Sequence, residues 1–165
     1  ALPIYIHQHL HLYYLCKKNP ESTLYNIPNL FLLRGSVDEA KIKEIFLKVV
    51  DNNEILRTDF LELNGCLFQR IHSKIEIDFE FSNITHSLEM HEIKDLISSF
   101  DLNKGPLFRV KLMKLDTLTS FLFIDIHHII SDGISIQLLF FQVFRMENLR
   151  HNRNFRQLKF VPLPL

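Results

Sequence analysis

The chain has few of the residues that interrupt or cross-link a globular fold. Its 165 residues include four glycines, six prolines, two cysteines and no tryptophan, while 47% of them are apolar. This composition argues against disorder, and the length suits one domain or one lobe with a hydrophobic core. Cys16 and Cys66 form no metal-binding or redox motif, so we expect a reduced, cytoplasmic protein.

An excess of charge of either sign is also missing. Lys and Arg number 19, as do Asp and Glu, so the formal net charge is zero. This balance predicts neither a nucleic acid nor an anionic membrane as a partner. No basic segment followed by an apolar run opens the sequence, and no apolar run approaches membrane-spanning length.

A metal site has only one candidate in the sequence. His7 and His11 stand at i and i+4 of an expected helix, a spacing that can bind zinc. No cysteine or carboxylate lies nearby in the sequence to complete the ligand set. We therefore predict no metal ion and no directly bound cofactor.

Hydrophobic periodicity predicts the element order β-α-β-α-β-β-β-α-β-β-α. Helices are expected over His7–Lys17, from a Ser36 N-cap with Glu39 in a capping box to about Asn53, over Leu88–Phe100, and from Ile134 to about Arg150. Strands are expected over Leu2–Tyr5, Asn26–Arg34, Ile55–Leu63, Cys66–His72, Ile75–Phe81, Leu107–Leu115 and Ser120–Ile126, with a hairpin turn at Asn64-Gly65. The expected fold is α+β in two layers, a mixed sheet covered by helices that lie mostly on one side.

The most informative stretch is His127-His128-Ile129-Ile130-Ser131-Asp132-Gly133, at the junction of a buried strand and a helix. Asp125, within that strand, needs a partner or a place at the strand's mouth. The plainest interpretation of the stretch is structural: hydrogen-bonded histidines, Asp132 as the helix cap and Gly133 as a turn residue. The other interpretation is a site for developing negative charge, because helix starts present unpaired N–H groups.

Several motifs in the chain resemble, in the same order, those of the condensation domains of non-ribosomal peptide synthetases. His127–Gly133 is similar to the HHxxxDG motif of that family at every defined position. Asn53–Phe60 resembles RHExLRTxF with Asn53 in place of His, and Phe100–Arg109 resembles FDLxxGPLxR. Tyr25–Pro28 is similar to the segment that leads into the second strand. The first family motif, SxAQxRLWxL, is degraded in Ile6–Leu15.

The resemblance implies roles for five residues. His128 corresponds to the active-site histidine, and Gly133 lies where a backbone N–H could approach the reacting carbonyl. Asp132 and Arg57 correspond to a salt-bridged pair that supports the motif, and we interpret His127 as structural. An imidazole is suited to position or deprotonate an amine near neutral pH, and an Arg–carboxylate pair is rigid.

The resemblance also implies a chloramphenicol-acetyltransferase-like half-domain, with residues 1–160 as an N-terminal lobe and 161–165 as the start of a linker to a missing C-terminal lobe. The implied reaction joins aminoacyl or peptidyl thioesters, carried on phosphopantetheine arms, into an amide. Implied partners are that second lobe, peptidyl carrier domains and an adenylation domain, and the lobe alone is expected to be inactive. Alternatives are a self-assembling CoA-type acyltransferase with an inter-subunit site, a non-catalytic interaction fragment, or an epimerisation-type relative.

Overall fold

The fold is built on two β-sheets. The computed structural model describes residues 2–3, 7–131, 136, 139–140, 142–143 and 155–161. In chain order its elements are β1 (Leu2–Pro3), α1 (His7–Lys18), β2 (Asn26–Gly35), α2 (Glu39–Asn52), β3 (Thr58–Leu63), β4 (Cys66–Ile71), β5 (Asp78–Asn83), α3 (Met90–Asp95), β6 (Phe108–Lys114), β7 (Thr119–His127) and β8 (Phe155–Val161). Two 3₁₀ turns, Glu54–Arg57 and His128–Ile130, precede β3 and follow β7.

The larger sheet has the strand order β5-β6-β7-β2-β8, and the smaller sheet has the order β1-β4-β3. β5 and β6 are parallel, whereas the other paired neighbours are antiparallel. The larger sheet is therefore mixed, which confirms the predicted fold class. The β3–β4 hairpin turns at Asn64 and Gly65, whose φ angles of 51° and 76° suit a tight turn of this kind.

The central strand β7 explains how the helices are arranged. All nine of its residues are buried, as its nearly continuous apolar sequence predicts. Leu122, Ile124 and Ile126 face the larger core cluster, to which α1 and α2 contribute. Phe121 and Phe123 face the smaller cluster, which includes Ile93 of α3. Among the described residues, α1, α2 and the helical Ile136, Leu139 and Val143 belong to the larger cluster, and α3 belongs to the smaller one. Helices therefore lie on both faces of the sheet but mostly on one side, as expected.

The predicted N-cap of α2 is also wrong. The helix begins at Glu39, and its cap is Asp38, whose side chain accepts a hydrogen bond from the Lys41 N–H at 3.3 Å. Ser36 lies two residues before that cap. The Asp38 carboxylate lies at the helix start, where unpaired backbone N–H groups and the helix dipole both favour a negative charge.

Two other elements are shorter than their patterns predict. Ile55–Arg57 belongs to a 3₁₀ turn, so β3 starts only at Thr58. The helix predicted over Leu88–Phe100 is limited to Met90–Asp95. Beyond its end, the carbonyls of Ser98 and Ser99 accept hydrogen bonds from the distant Arg109 side chain. Local periodicity carries no information about such long-range partners.

Strand β8 was not predicted. Phe155–Val161 pairs antiparallel with β2, with Leu30 opposite Val161. Val161, where the linker was expected to begin, is thus the last residue of this strand. In the helix expected from Ile134 to about Arg150, the described residues Ile136, Leu139, Phe140, Gln142 and Val143 are helical. The remainder of that helix and residues 162–165 lie outside the described residues.

No helix among the described residues is both long enough and apolar enough to cross a membrane.

Candidate active site

His128 is presented at the end of the most deeply buried strand. β7 ends at His127, and the chain turns at once into the 3₁₀ turn His128–Ile130. Ile129 and Ile130 are 1% and 4% exposed, which anchors the turn in the core, whereas the His128 side chain is exposed. The His128 N–H donates to the Tyr25 carbonyl at 2.8 Å, tying the turn to the segment that enters β2.

The hydrogen bond of the His128 ring fixes its tautomer. Nδ1 lies 2.9 Å from the Ser131 carbonyl oxygen, which accepts but cannot donate. Nδ1 therefore carries a proton, and in the neutral ring the lone pair belongs to Nε2. A proton acceptor on a fixed ring is what general-base chemistry or amine positioning needs.

A cleft of about 540 Å³ opens beside this ring. Its walls come from α1, the Tyr25 segment, the 3₁₀ turn before β3 and the His128 turn, and the lining residues are His9, His11, Leu12, Leu15, Tyr25, Ile55, His128, Ile129, Ile130 and Ser131. Burial lowers the pKa of His9. Apolar walls and a few polar groups that converge on them are typical of sites that bind organic ligands.

His127 has the opposite environment. It is 3% exposed, its Nδ1 accepts the Ile129 N–H at 3.1 Å, and its Nε2 lies 3.5 Å from the Cys16 Sγ. Burial, and then the neighbouring His128, lower the pKa of His127 to about 4. A buried, neutral ring that accepts a backbone N–H is consistent with the structural role predicted for His127.

Of the two residues predicted to form the supporting salt bridge, Arg57 and Asp132, the structure describes only Arg57. Its Nε donates to the Val50 carbonyl at 3.2 Å, and its Nη1 donates to the carbonyls of His72 and Ser73. Arg57 therefore links the end of α2 to the end of β4. Asp132 and Gly133 lie outside the described residues, so their assignments remain predictions.

Nearly the whole chain matches one known protein family. A family model described as Condensation domain matches residues 4–162. The chain belongs to the condensation domain family.

Relatives of this condensation domain chain are large synthases. It is 35% identical over 124 residues to surfactin synthase subunit 2 of Bacillus subtilis, covering 75% of the chain and 4% of the relative. It is 40% identical over 117 residues to gramicidin S synthase 2 of Aneurinibacillus migulanus, covering 70% of the chain and 3% of the relative. The chain thus spans only a few per cent of the length of the curated relatives it matches.

Solved structures show the same fold. The starter condensation domain of the rhizomide synthetase RzmA superposes with a TM-score of 0.77 at 20% identity, covering 90% of this chain and 39% of that one. The four-domain non-ribosomal peptide synthetase holo-AB3403, bound to AMP and glycine, gives a TM-score of 0.77 at 23% identity, covering 86% and 11%. These likenesses confirm the predicted α+β architecture.

Sequence reasoning missed a charged cluster around Asp59 in this condensation domain chain. Arg70 forms two hydrogen bonds of 2.8 Å to the Asp59 carboxylate, His72 Nε2 lies 2.8 Å from it, and the Gly105 N–H donates to it at 3.3 Å. Burial alone would raise the pKa of Asp59, but these bonds hold it below its ordinary value. The cluster joins β3, β4 and the loop before β6. Its only sequence signal is an aspartate in a strand that is otherwise mostly apolar.

A second missed cluster surrounds Asp125, which is fully buried. Asn26 Nδ2 donates to its Oδ2 at 2.7 Å, and Arg109 Nη1 lies 3.8 Å away. Burial raises the pKa of Asp125 to about 6, although Asn26 and Arg109 partly oppose the shift. The sequence showed that Asp125 needs a partner, but the partners come from β2 and β6, distant in the chain.

No group of three or more His, Cys, Asp or Glu side chains that could hold a metal ion occurs within the part of the chain that the structure describes. His9 and His11 line the cleft instead.

Proposed function

We propose that this chain is the N-terminal part of a condensation domain that forms a peptide bond between thioester-bound substrates. In this proposal the substrates ride on phosphopantetheine arms of carrier domains, the remainder of the domain closes the active site, and an adenylation domain supplies the amino acid. The matches to surfactin and gramicidin S synthases support a place in a multidomain synthetase. The free thiols of Cys16 and Cys66 agree with a reducing cytoplasm.

The observation that carries the proposal is His128 beside the cleft. Its Nδ1 donates a hydrogen bond to the Ser131 carbonyl at 2.9 Å, so Nε2 is the proton-accepting nitrogen of the neutral ring. The flanking Ile129 and Ile130 are buried and hold the turn, so little ordering is needed when substrates bind. The cleft contains mostly neutral side chains, which suits an uncharged acyl thioester.

The chemistry follows from these groups. The neutral amine of the acceptor attacks the thioester carbonyl of the donor, forming the C–N bond. The C–S bond then breaks and the released sulfur takes up a proton. His128 positions the amine or receives the proton it loses, and Gly133 contributes an N–H near the carbonyl oxygen. We propose that Asp132 pairs with Arg57 and supports the turn.

Solved relatives support thioesters as the substrate class. A mutant of the rhizomide synthetase starter condensation domain, similar to this chain with a TM-score of 0.73 at 22% identity, was solved in complex with C8-CoA and Leu-SNAC. Both names describe thioester compounds bound by that protein. For this chain we propose an acyl thioester as the donor and an aminoacyl thioester as the acceptor.

The test uses the full polypeptide that carries this chain, with its carrier domains loaded with donor and acceptor. Mass spectrometry of the carrier-bound product should detect a dipeptidyl thioester, and His128→Ala should lower its rate by about a hundredfold or more. His91→Ala is the matched control, since its side chain is 72% exposed and lies on α3. Full activity of the His128→Ala polypeptide would contradict the site, and absence of any amide from the loaded wild-type polypeptide would contradict the reaction.

A further inference from the structure

Arg109 is a buried cation in the middle of the larger sheet. It lies on β6, opposite Asp125 on β7 and Asp78 on β5, and it is 7% exposed. Its carboxylate neighbours are not in close contact, because Asp125 and Asp78 are 3.8 and 3.9 Å away. The short hydrogen bonds of the guanidinium go elsewhere, so charge pairing alone does not explain where this side chain points.

The guanidinium binds the segment that follows α3. Nη1 donates to the Ser98 carbonyl at 2.8 Å and also to the Ser98 hydroxyl, and Nη2 donates to the Ser99 carbonyl at 3.1 Å. The guanidinium carbon lies 3.9 Å from the centre of the Phe100 ring, a stacked cation–π contact. Three consecutive residues are therefore held by one side chain.

Phe100 connects the Ser98–Phe100 segment to the turn that bears His128. Its ring meets the His127 ring edge-on, with centroids 6.1 Å apart and planes at 88°. The Nδ1 of His127 accepts the Ile129 N–H, which is the bond that starts the turn bearing His128. Asn26 supports the same assembly, since it donates to both Ser98 O and Asp125 and stands opposite His127 in the sheet register.

We propose that Arg109 is a positioning residue for His128, acting through Phe100 and the His127 ring. The inference rests on the proposed function of His128. Arg109 fixes the Ser98–Phe100 segment, Phe100 limits the tilt of His127, and His127 sets the backbone of the turn.

The diagnostic substitution is Arg109→Lys. Lysine keeps the positive charge beside Asp125 but cannot stack as a plane or reach two carbonyls in a fork. Phe100→Leu makes the complementary change, because it removes the aromatic link and leaves the carbonyl contacts available. Lys111→Met is the matched control: Lys111 is two residues further along β6 and pairs at 2.9 Å with Glu80, away from Phe100.

The first readout is amide hydrogen exchange of the full polypeptide, measured by mass spectrometry and independent of activity. Arg109→Lys and Phe100→Leu should each speed exchange in the segment His127–Ser131 by about tenfold or more, with little change in Phe121–Ile126. Lys111→Met should leave both segments unchanged. Equal exchange of His127–Ser131 in Arg109→Lys and wild type would overturn the proposal, and so would a uniform rise along all of β7.

The second readout is amide formation on loaded carrier domains. Arg109→Lys should lower kcat roughly ten- to a hundredfold with KM within about twofold, because the reacting groups are misplaced while substrate binding is retained. Adding Phe100→Leu to Arg109→Lys should lower kcat little further, since both act in one chain of contacts. Additive losses, or a rise in KM alone, would overturn the proposal. A wild-type polypeptide that makes no amide would refute the proposed function instead, and the exchange measurement would still decide the role of Arg109.

Discussion

His127 and His128 carry their ring protons on opposite nitrogens. The Nδ1 of His127 accepts the Ile129 N–H at 3.1 Å and is therefore unprotonated, whereas the Nδ1 of His128 donates to the Ser131 carbonyl at 2.9 Å. Adjacent residues of the same type thus have different chemistry. The buried His127 ring accepts a backbone N–H, and the exposed His128 ring lines the cleft with Nε2 as its proton-accepting nitrogen. The change from strand to 3₁₀ turn between them produces this difference.

Two buried groups on β7 should give opposing pH dependences of stability. The pKa of Asp125 is raised to about 6, compared with about 3.9 when unfolded, so between these values the native state binds the extra proton. Raising the pH through that window lowers the free energy of unfolding. The pKa of His127 is lowered to about 4, compared with about 6.5 when unfolded, so between these values the unfolded state binds the extra proton. Raising the pH through that window increases the free energy of unfolding.

Replacing either Asp125 or His127 should leave only the other group's contribution to the pH dependence of stability. Asp125→Asn leaves the His127 contribution, so its free energy of unfolding should fall more steeply than that of wild type from about pH 6 to about pH 4.5. His127→Asn leaves the Asp125 contribution, so its free energy of unfolding should fall less steeply than that of wild type over the same range. Urea unfolding at several pH values measures both. Parallel pH profiles for the three proteins would show that neither group titrates differently in the folded state.

The Asp59 cluster should contribute strongly to stability. Asp59→Asn leaves the Arg70 guanidinium, His72 and the Gly105 N–H facing an amide in place of a carboxylate that is 2% exposed. We expect a loss of about 2 to 3 kcal/mol in the free energy of unfolding. Glu62→Gln on the same strand is the control, because its partner Lys17 is exposed and the midpoint of unfolding should hardly change. A comparable shift in both variants would contradict the importance of the buried carboxylate.

Arg57 should matter for stability as well as for the proposed reaction. Arg57→Ala leaves the carbonyls of Val50, His72 and Ser73 without this donor, and we expect a loss of about 2 to 4 kcal/mol. Arg57→Lys should recover only part of it, since an ammonium cannot span the same acceptors. Thermal unfolding measures both, with Arg34→Ala as a control whose side chain is exposed and donates to Thr119. Unfolding of Arg57→Ala at the wild-type temperature would argue against a supporting role.

The features that the sequence predicted well depend on neighbouring residues. The Asn64-Gly65 turn needs only a backbone that tolerates positive φ, and the burial of β7 follows from a nearly unbroken apolar run. The acidic residues of Ile75–Phe81 are exposed while Ile77 is buried, as the alternation predicts, although the strand itself begins at Asp78. The condensation family was recognised because its motifs are short, contiguous and in order.

The features that the sequence did not predict depend on contacts between distant residues. The Arg109 side chain, from another strand, binds the Ser98 and Ser99 carbonyls beyond the end of α3. The sequence did not predict β8 because charged residues interrupt its alternation of apolar and polar residues. Its strand conformation depends on pairing with β2. Asp38 is preferred over Ser36 as the cap because the helix begins where its apolar face can pack, not where the first capping residue occurs.

The sequence alone determined the family, the order of most elements and the place of the two histidines at a strand end, since each of these is written in adjacent residues. Only the tertiary structure decided which imidazole reaches the cleft, which carbonyls take the Arg57 and Arg109 guanidiniums, and which partners surround Asp59 and Asp125. The physical reason is that hydrogen bonds and burial depend on separation in space, and folding brings together groups as far apart in the chain as Asn26 and Asp125.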